Sequence, residues 1–349
     1  MSKQRIAIIC GGISSEHEIS CISAGGVLKG LDKNKYDALI IGITKGGRWV
    51  LLPLDYPLEI IDGKLPHVDE NAPSIVADIQ GFSHGGKALQ IDCVFPVLHG
   101  PYGEDGTIQG MLEIANLAYV GSGVLASAAA MDKSFAKTIF KAADIATADG
   151  IVVTSSSRSL EIDDLAFPVF VKPARGGSSR GTHKVKSLQE LSPAIKDAFA
   201  YDHKVMIEQA VVGREIECAV LEINGVVQAS LVGEIVIDSK FEFYDFEAKY
   251  LDGATSVRIP AEIPEIAAGA IRAKAIAAFK ALGCSGLARC DFFYTDGGEI
   301  FINEINTMPG FTGTSVYPKL WQSSGVAFTE LITALIETAL KRTNSVLAN

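Results

Sequence analysis

Two segments near the C-terminal end of the sequence alternate polar with apolar side chains, as half-buried β-strands do. They flank a Thr-Asp-Gly-Gly turn and read LARCDFFY (287–294) and FINEINTMPG (301–310). Residues two apart on a strand share a face, so Arg289 points the same way as Asp291. By the same rule Glu304 points the same way as Asn306. The pattern predicts a hairpin with one polar face and one core face.

The polar face of this hairpin predicts a site for a hard metal ion. We expect Tyr294 to pair with Glu299 across the turn. Arg289 then stands opposite Glu304, with Asp291 diagonal to that pair. The two carboxylates and an amide oxygen on the second strand are ligands that suit Mg²⁺. A surface hairpin with one Arg–Glu cross-strand pair remains the alternative.

A second candidate is the glycine-rich loop in VKPARGGSSRG (171–181), which follows an apolar strand. Glycines let backbone N–H groups approach phosphate oxygens closely, and Ser178 or Ser179 can add a hydroxyl donor. The loop matches neither the P-loop nor the dinucleotide-binding pattern, and Gly11-Gly12 fails the latter too, which argues against NAD. A plain turn is the alternative.

Charged residues around this loop could hold a nucleotide. Lys133 at a helix start and Lys172 at a strand end are cations that could pair with phosphates. Glu208 and Glu215 could bind the adenine edge and the ribose hydroxyls. For each side chain alone, a solvated surface charge is the competing interpretation.

Composition narrows the class of protein. The 349 residues are 48% hydrophobic and 21% charged, which is typical of a globular protein of two or three domains. The formal net charge of −10 opposes binding to nucleic acid or to an anionic membrane. The cysteines have no metal-site spacing, and we expect free buried thiols. With no signal peptide and no membrane span, we expect a cytoplasmic protein.

The elements that position these residues alternate between strands and helices in the first part of the chain. Apolar runs predict strands at 5–10, 36–43 and 91–98, with a helix after Ser15 whose capping box uses Glu18. This order predicts an open, mostly parallel α/β sheet. Residues 50–90 show no clear periodicity. Beyond about residue 131 the pattern becomes α+β.

Seven motifs occur in the order found in the D-alanine–D-alanine ligases, members of the ATP-grasp superfamily. They are GGISSEHEIS, HGPYGEDGTIQG, YVGSG with MDK, VKPARGGSSRG, YDFEAKY, ARCDFFY and NEINTMPGFT. The resemblance extends from about Ile6 to Val316. It implies an ATP-dependent ligase that joins two D-alanine molecules to D-alanyl-D-alanine through an acyl phosphate, releasing ADP and phosphate, for peptidoglycan precursor synthesis.

The resemblance also implies the domain organisation. We expect an N-terminal α/β domain at 1–131 that binds the first substrate. A two-part ATP-grasp unit should follow. Its small central subdomain, at 132–213, carries the glycine-rich loop, and its C-terminal subdomain, at 214–349, carries a lid loop and the metal hairpin. Family members suggest a homodimer whose small-molecule partners are D-alanine and ATP.

Nucleotide and metal ligands can be carried over residue by residue. The resemblance assigns to ATP the residues Lys133, Lys172, Glu208, Glu215 and Lys249, the last at the γ-phosphate. It assigns to two Mg²⁺ (or Mn²⁺) ions the residues Asp291, Glu304 and Asn306.

Substrate and catalytic residues follow from the same resemblance. Glu16 resembles the residue that receives the ammonium of the first D-alanine, and His99 is a neighbouring substrate-site histidine. Ser178 and Tyr250 join Glu16 in a hydrogen-bonded set that fastens a loop over the site. Which of Ser178 and Ser179 acts stays open.

The remaining roles concern the acceptor. Arg289 and the backbone N–H of Gly310 would hold the oxyanion, and Ser315 and Val316 lie where the family binds the second D-alanine. The Lys249-Tyr250 pair favours the dipeptide over a D-alanyl–D-lactate ester.

Two other functions remain open. One is an ATP-grasp ligase for a different carboxylate–amine pair. The other is a nucleotide-binding regulatory protein without turnover, against which Arg289 counts because a pure binder needs no oxyanion donor.

Overall fold

The computed structural model describes residues 3–157, 166–237, 255–312 and 314–342. In its first part, strands and helices alternate except between residues 36 and 96, where strands follow one another. The strands are β1 (Gln4–Gly11), β2 (Tyr36–Ile43), β3 (Trp49–Leu52), β4 (Val76–Asp78), β5 (Gly81–His84), β6 (Lys87–Ala88), β7 (Cys93–Pro96) and β8 (Ala118–Tyr119). The helices are α1 (His17–Gly30), α2 (Thr107–Ile114) and α3 (Val124–Met131).

Five of these strands form an open sheet in the order β3-β2-β1-β7-β8, parallel except for the antiparallel edge strand β3. β1 is buried from Ile6 to Cys10 because helices cover both of its faces. Residues 50–90, for which the sequence gave no assignment, form β4, β5 and β6, a small antiparallel sheet, besides most of β3. The expectation of an open, mostly parallel sheet is confirmed.

The start of α1 differs from its prediction. The predicted capping box of Ser15 and Glu18 does not form, because Glu16 occupies the N-cap position and makes no side-chain cap bond. Instead Ser14 Oγ accepts from the Glu16 N–H at 3.1 Å and donates to the carbonyl of His99 at 2.7 Å. Glu18 is used in an ion pair with Lys45 at 2.5 Å. Glu16, at the N-cap position of this helix, lines a cleft.

The middle of the chain forms a four-stranded antiparallel sheet in the order β11-β10-β12-β9. Its elements are α4 (Lys133–Ala142), β9 (Gly150–Thr154), β10 (Val169–Pro173), β11 (His183–Val185), α5 (Leu188–Ala198) and β12 (Lys204–Gln209). Asp132 caps α4 by accepting from the N–H groups of Ser134 and Phe135. α5 packs its buried side chains against the sheet.

The last part forms a five-stranded antiparallel sheet in the order β15-β14-β13-β16-β17. Its elements are β13 (Arg214–Ile223), β14 (Val226–Ile237), β15 (Thr255–Arg258), α6 (Glu265–Ala281), β16 (Leu287–Tyr294), β17 (Ile300–Asn306), α7 (Val316–Ser323) and α8 (Phe328–Lys341). α6 covers one face of the sheet, where Cys290, Phe292, Ile302 and Ile305 are buried as the hairpin pattern predicts.

One apolar core joins the first sheet to the two C-terminal helices. Side chains of β1, α1, α7 and α8 belong to it. The last helix buries an apolar stripe formed by Leu331, Ile332, Leu335 and Ile336. Among the described residues no single helix is long and apolar enough to cross a membrane, and only α7 and α8 together, bent by 106°, meet that criterion.

The cysteines are free, and all but Cys284 are fully buried. The prediction of free thiols is therefore confirmed, with Cys284 partly accessible.

Candidate active site

Two adjoining cavities lie where the three main sheets meet. The larger, of about 410 Å³, lies between the sheet formed by β9 to β12 and the sheet formed by β13 to β17. The smaller, of about 230 Å³, lies between α1, the loop after β7 and the segment after β17. Lys133, Ser178 and Glu304 line both cavities. The two cavities therefore adjoin at these residues.

The candidate residues divide between the two cavities. The larger is lined by Lys133, Lys172, Glu208, Glu215, Asp291 and Glu304. The smaller is lined by Glu16, His99, Arg289, Asn306, Gly310, Ser315 and Val316. Lys249 and Tyr250 lie outside the described residues.

The hairpin register differs from the prediction. Tyr294 pairs with Ile300 rather than with Glu299, and a bulge at Asn303 shifts the register by one further residue. As a result Asp291 stands directly opposite Glu304, and Arg289 stands opposite Asn306. The predicted Arg289–Glu304 pair is wrong, but the polar side chains still share one face because the bulge restores their alternation.

These side chains form an oxygen-rich set that fits a hard metal ion. Asp291 and Glu304 bring carboxylates, and Asn306 brings an amide oxygen that accepts from the Met308 N–H at 2.8 Å. Within the described residues no metal site is built from three or more His, Cys, Asp or Glu side chains. This set has only two carboxylates, with an amide oxygen as the third donor. Mg²⁺ accepts such oxygen donors and fills its remaining positions with phosphate and water.

Arg289 is held in a fixed direction at the junction of the cavities. Its Nε and Nη2 donate to the two oxygens of Asp291 at 2.7 and 2.6 Å, and Nε lies 3.1 Å from Glu217 Oε2. Burial lowers the pKa of Arg289, but the charges of Asp291 and Glu217 outweigh burial and raise the pKa well above its usual value. The guanidinium therefore remains a cation in the wall of the smaller cavity.

Glu217 was not singled out from the sequence. It lies on β13 opposite Asp291 and is 4% exposed. Its two-residue spacing from Glu215 places both acids on one face of the strand, which is the signal that could have found it.

Three lysines meet two carboxylates at the larger cavity, two of them in its wall and the third, Lys137, just behind it. Lys133 Nζ lies 3.1 Å from Glu304 Oε2 and donates to the carbonyl of Gly176 at 2.8 Å. Lys172 Nζ lies 2.8 Å from Glu208 Oε2. The third, Lys137, lies 2.5 Å from Glu208 Oε1 and was missed from the sequence. Its position one turn after Lys133 on α4 is the available signal.

The glycine-rich loop reaches across to the first sheet. Ser178 Oγ donates to Glu16 Oε1 at 2.6 Å, so the structure brings Ser178 to the predicted partner. Both Ser178 and Ser179 have positive φ, 51° and 55°, a strained conformation for residues with a Cβ. A Cβ on Gly177 would lie 2.9 Å from Glu16 Oε2, so a side chain at this position would displace the end of the Glu16 side chain.

His99 is clamped by bonds at both ring nitrogens. Nδ1 donates to the carbonyl of Met308 at 3.1 Å, and Nε2 accepts from Ser23 Oγ at 3.1 Å. Ser23 in turn accepts from the N–H of Phe311 at 3.3 Å. Burial lowers the pKa of His99, and the nearby Glu16 only partly offsets this effect. His99 is therefore a neutral, fixed wall of the smaller cavity.

Ser23 was also missed from the sequence, although it follows Glu16 by two helical turns and so shares its face of α1. Through His99 and Phe311 it ties α1 to the segment that carries Gly310. A Cβ on Gly310 would meet Ser315 Oγ at 2.9 Å, so the backbone N–H of Gly310 lies close to the start of α7. Ser315 is the N-cap residue of that helix.

Glu104 is a further acid of the smaller cavity that the sequence motifs did not single out. Its carboxylate accepts from the Gly100 N–H at 2.5 Å. Burial, together with the charge of Glu16, raises the pKa of Glu104 to about 8. The cavity therefore holds one carboxyl that is protonated at neutral pH.

Comparison with known proteins decides the family. A family model described as the D-ala D-ala ligase N-terminus matches residues 5–122, and one described as the D-ala D-ala ligase C-terminus matches residues 139–337. The chain belongs to the D-alanine–D-alanine ligase family. The resemblance found in the sequence motifs is thereby confirmed, and so is the expectation of a ligase.

Relatives match the chain over nearly its full length. A D-alanine--D-alanine ligase of Mycolicibacterium gilvum is 48% identical, covering 97% of each chain. A D-alanine--D-alanine ligase of Mycolicibacterium smegmatis is 47% identical, covering 97% of this chain and 96% of the relative.

Solved structures confirm the fold class with its ATP-grasp unit. The VanG D-Ala:D-Ser ligase from Enterococcus faecalis has a TM-score of 0.85 at 37% identity, covering 97% of this chain and 100% of that one. The D-alanine-D-alanine ligase from Coxiella burnetii has a TM-score of 0.83 at 36% identity, with coverages of 97% and 95%. The Bacillus anthracis ligase, solved in complex with ATP, has a TM-score of 0.74 at 30% identity, with coverages of 97% and 98%.

Proposed function

We propose that this chain joins two D-alanine molecules in the smaller cavity at the expense of ATP held in the larger one. The observation that carries the proposal is the shared wall of the two cavities, formed by Lys133, Ser178 and Glu304. A γ-phosphoryl group at this wall adjoins a carboxylate held beside Glu16. Family membership supports the reaction class, and the shared wall supports a short path for the phosphoryl group.

The first step activates a carboxylate. The carboxylate of the first D-alanine attacks the γ-phosphorus, the bond to the β-phosphate bridging oxygen breaks, and ADP leaves an acyl phosphate behind. Glu16 is suited to receive the ammonium of this D-alanine, since its carboxylate is fixed by Ser178. Lys133 and Lys172 neutralise charge on the phosphates, which is the main task of a phosphoryl-transfer site.

The second step forms the peptide bond. The neutral amine of the second D-alanine, held near Ser315 and Val316, attacks the acyl carbon. The C–O bond to phosphate then breaks, and the proton lost by the amine leaves with the phosphate. Arg289 and the Gly310 N–H meet the oxyanion of that intermediate. Because His99 uses both ring nitrogens, it orients rather than exchanges protons.

The metal proposal rests on the fit of the donor set. Asp291, Glu304 and Asn306 would hold Mg²⁺ or Mn²⁺, two ions in the family pattern, which when bound neutralise and orient the phosphate oxygens. In the described structure Arg289 and Lys133 balance the charges of Asp291 and Glu304.

The expected roles of Glu208 and Glu215 with adenine and ribose, and of Lys249 and Tyr250 in the lid, are part of this proposal. So are the domain boundaries at 131 and 213, a homodimer, and a cytoplasmic location. The negative net charge of −10 supports the absence of nucleic-acid and membrane partners.

Phosphate release tests the proposal. Release should depend on ATP and D-alanine and should be at background with L-alanine or without an amino acid. The likeness to a D-Ala:D-Ser ligase makes D-serine the sharpest competing acceptor, followed by D-lactate. A mixed dipeptide or an ester as the main product would overturn the assignment of the second substrate.

The Arg289→Ala variant separates binding from chemistry. ADP affinity should stay within about threefold of wild type, while ligation falls by about a hundredfold or more, as for loss of an oxyanion donor. Equal loss of both would contradict the role given to Arg289.

A further inference from the structure

Lys137 is a buried cation just behind the larger cavity. It lies one helical turn after Lys133 on α4, is 5% exposed, and does not line the cavity itself. A buried ammonium is costly unless it is paired. Its partner is Glu208, whose Oε1 lies 2.5 Å from Lys137 Nζ.

Glu208 is shared between two lysines. Its other oxygen, Oε2, lies 2.8 Å from Lys172 Nζ, and Lys172 does line the cavity. Burial raises the pKa of Glu208, but the two ammonium groups outweigh burial and lower the pKa to about 2. The carboxylate is therefore ionised whenever the protein is folded near neutral pH.

The charge balance of this trio depends on Lys137. Two lysines and one carboxylate leave a net charge of +1, and the cavity-facing member of the trio is Lys172. Without Lys137, Glu208 and Lys172 would form a closed pair with no net charge. Because the cavity wall is poorly solvated, losing this positive charge would markedly weaken the attraction of a nearby anion.

Resting on the proposed ATP site, we infer that Lys137 is a positioning residue for the nucleotide: by holding and neutralising Glu208 from behind, it keeps the charge of Lys172 available to the ATP phosphates. Lys137 touches no substrate in this role. Its effect passes through the carboxylate of Glu208 to Lys172.

The inference predicts a selective defect. In Lys137→Met, the Kd for ADP and the KM for ATP should rise about tenfold or more, the size expected when a charge-assisted contact is lost. The KM for D-alanine should change less than about threefold. A lysine that only stabilised the fold would instead lower thermal stability and impair both substrates alike.

The matched control is Lys141→Met, one turn further along α4. Lys141 is exposed and pairs with Asp149 on the surface at 3.1 Å. Its loss should leave both KM values unchanged.

A double variant gives the sharper test. The reference is Glu208→Gln alone, which carries any loss of the contact between Glu208 and the nucleotide. Adding Lys137→Met to Glu208→Gln should change ADP affinity less than about threefold, because no carboxylate remains for Lys137 to neutralise. A loss of about tenfold on adding Lys137→Met to Glu208→Gln would overturn the inference, as would unchanged ADP affinity in folded Lys137→Met.

If Lys137→Met does not fold, Lys137→Arg and Lys137→Gln replace it. The Kd for ADP should then stay near the wild-type value in Lys137→Arg and rise in Lys137→Gln. Failure of all three to fold would show a purely structural lysine and overturn the inference. Normal D-alanine-dependent phosphate release with unchanged nucleotide affinity would defeat this inference while leaving the proposed function intact.

Discussion

Ser178 donates a hydrogen bond of 2.6 Å to Glu16, a residue 162 positions earlier in the chain. The bond joins the glycine-rich loop of the second sheet to the start of α1 beside the first sheet. It fixes the carboxylate that we expect to receive the substrate ammonium, and it places the loop over the shared wall of the two cavities.

Replacing the serine hydroxyl tests this link. Ser178→Ala should lower kcat/KM for D-alanine by about tenfold or more, because a hydrogen bond to a charged group is lost at the site. Steady-state kinetics with varied D-alanine measures the effect. Ser179→Ala, which leaves the Ser178–Glu16 bond in place, is the control and should lose less. The reverse ranking would assign the function to Ser179.

Ser23 should matter for both stability and turnover. Ser23→Ala leaves His99 Nε2 and the Phe311 N–H without their partner, which costs about 1–3 kcal/mol of unfolding free energy. Because Phe311 adjoins Gly310, kcat should also fall while the Kd for ADP is unchanged. Urea denaturation and single-turnover kinetics give the two measurements.

Ser20→Ala is the matched control for Ser23→Ala. Ser20 is also buried on α1, and its hydroxyl bonds the Gly11 N–H at 2.8 Å and the carbonyl of Val97. It should lose comparable stability with little loss of kcat. An equal kcat loss in both variants would mean that helix stability, not the position of Gly310, limits turnover.

Glu104 should make stability depend on pH. Its folded pKa of about 8 lies above the usual value of 4.5, so the folded state binds a proton that the unfolded state releases between these pH values. Its contribution to stability is present below about pH 4.5 and is lost as pH rises towards 8. Glu104→Gln should therefore become more stable relative to wild type as pH increases from 5 to 9.

Urea denaturation of both proteins across this range checks the sign. A stability difference that stayed constant with pH, or shrank as pH rose, would show that Glu104 does not titrate as a buried acid.

Metal dependence should follow Glu304. EDTA should abolish ligation, and Mg²⁺ or Mn²⁺ should restore it. In Glu304→Gln the Mg²⁺ concentration for half-maximal rate should rise about tenfold or more, since a charged ligand becomes neutral. The control is Glu299→Gln, at the exposed turn of the same hairpin, which should behave as wild type. A Mg²⁺ requirement unaffected by Glu304→Gln would remove Glu304 from the metal site.

Periodic apolar patterns predicted the elements well. The bounds of β2 and β16 coincide with their predicted ranges, since each is a largely apolar segment next to clear turn signals. The short strands between residues 74 and 90 gave no such signal, because β4 and β6 are largely exposed and carry no apolar alternation.

Two predictions were wrong, the hairpin register and the capping of α1, because contacts between distant parts of the chain decide both. The hairpin register depends on the bulge at Asn303, whose side chain accepts from Lys172 at 3.3 Å across the cavity. The capping box at Ser15 gave way to Ser14, which bonds the distant carbonyl of His99. Neither partner can be read from spacing along the chain.

The sequence predicted the site residues that lie in motifs. It missed the residues that hold those side chains in place. Glu16, Arg289 and Asp291 lie in recognisable motifs. Ser23, Lys137 and Glu217 act through other side chains, and their partners lie on different elements. Helical or strand spacing from Glu16, Lys133 and Glu215 would have nominated them, without indicating what they contact.

The single apolar core that unites β1 and α1 with α7 and α8 has a consequence for engineering. The two family models leave residues 123–138 between them, which invites a chimera joined there. Such a chimera would pack α1 of one protein against α8 of another. In this chain the two helices are fitted closely, since Ile332 and Phe328 fill the space around Gly30. Exchanging the N-terminal segment therefore requires exchanging α7 and α8 as well, because these distant parts of the chain share one core.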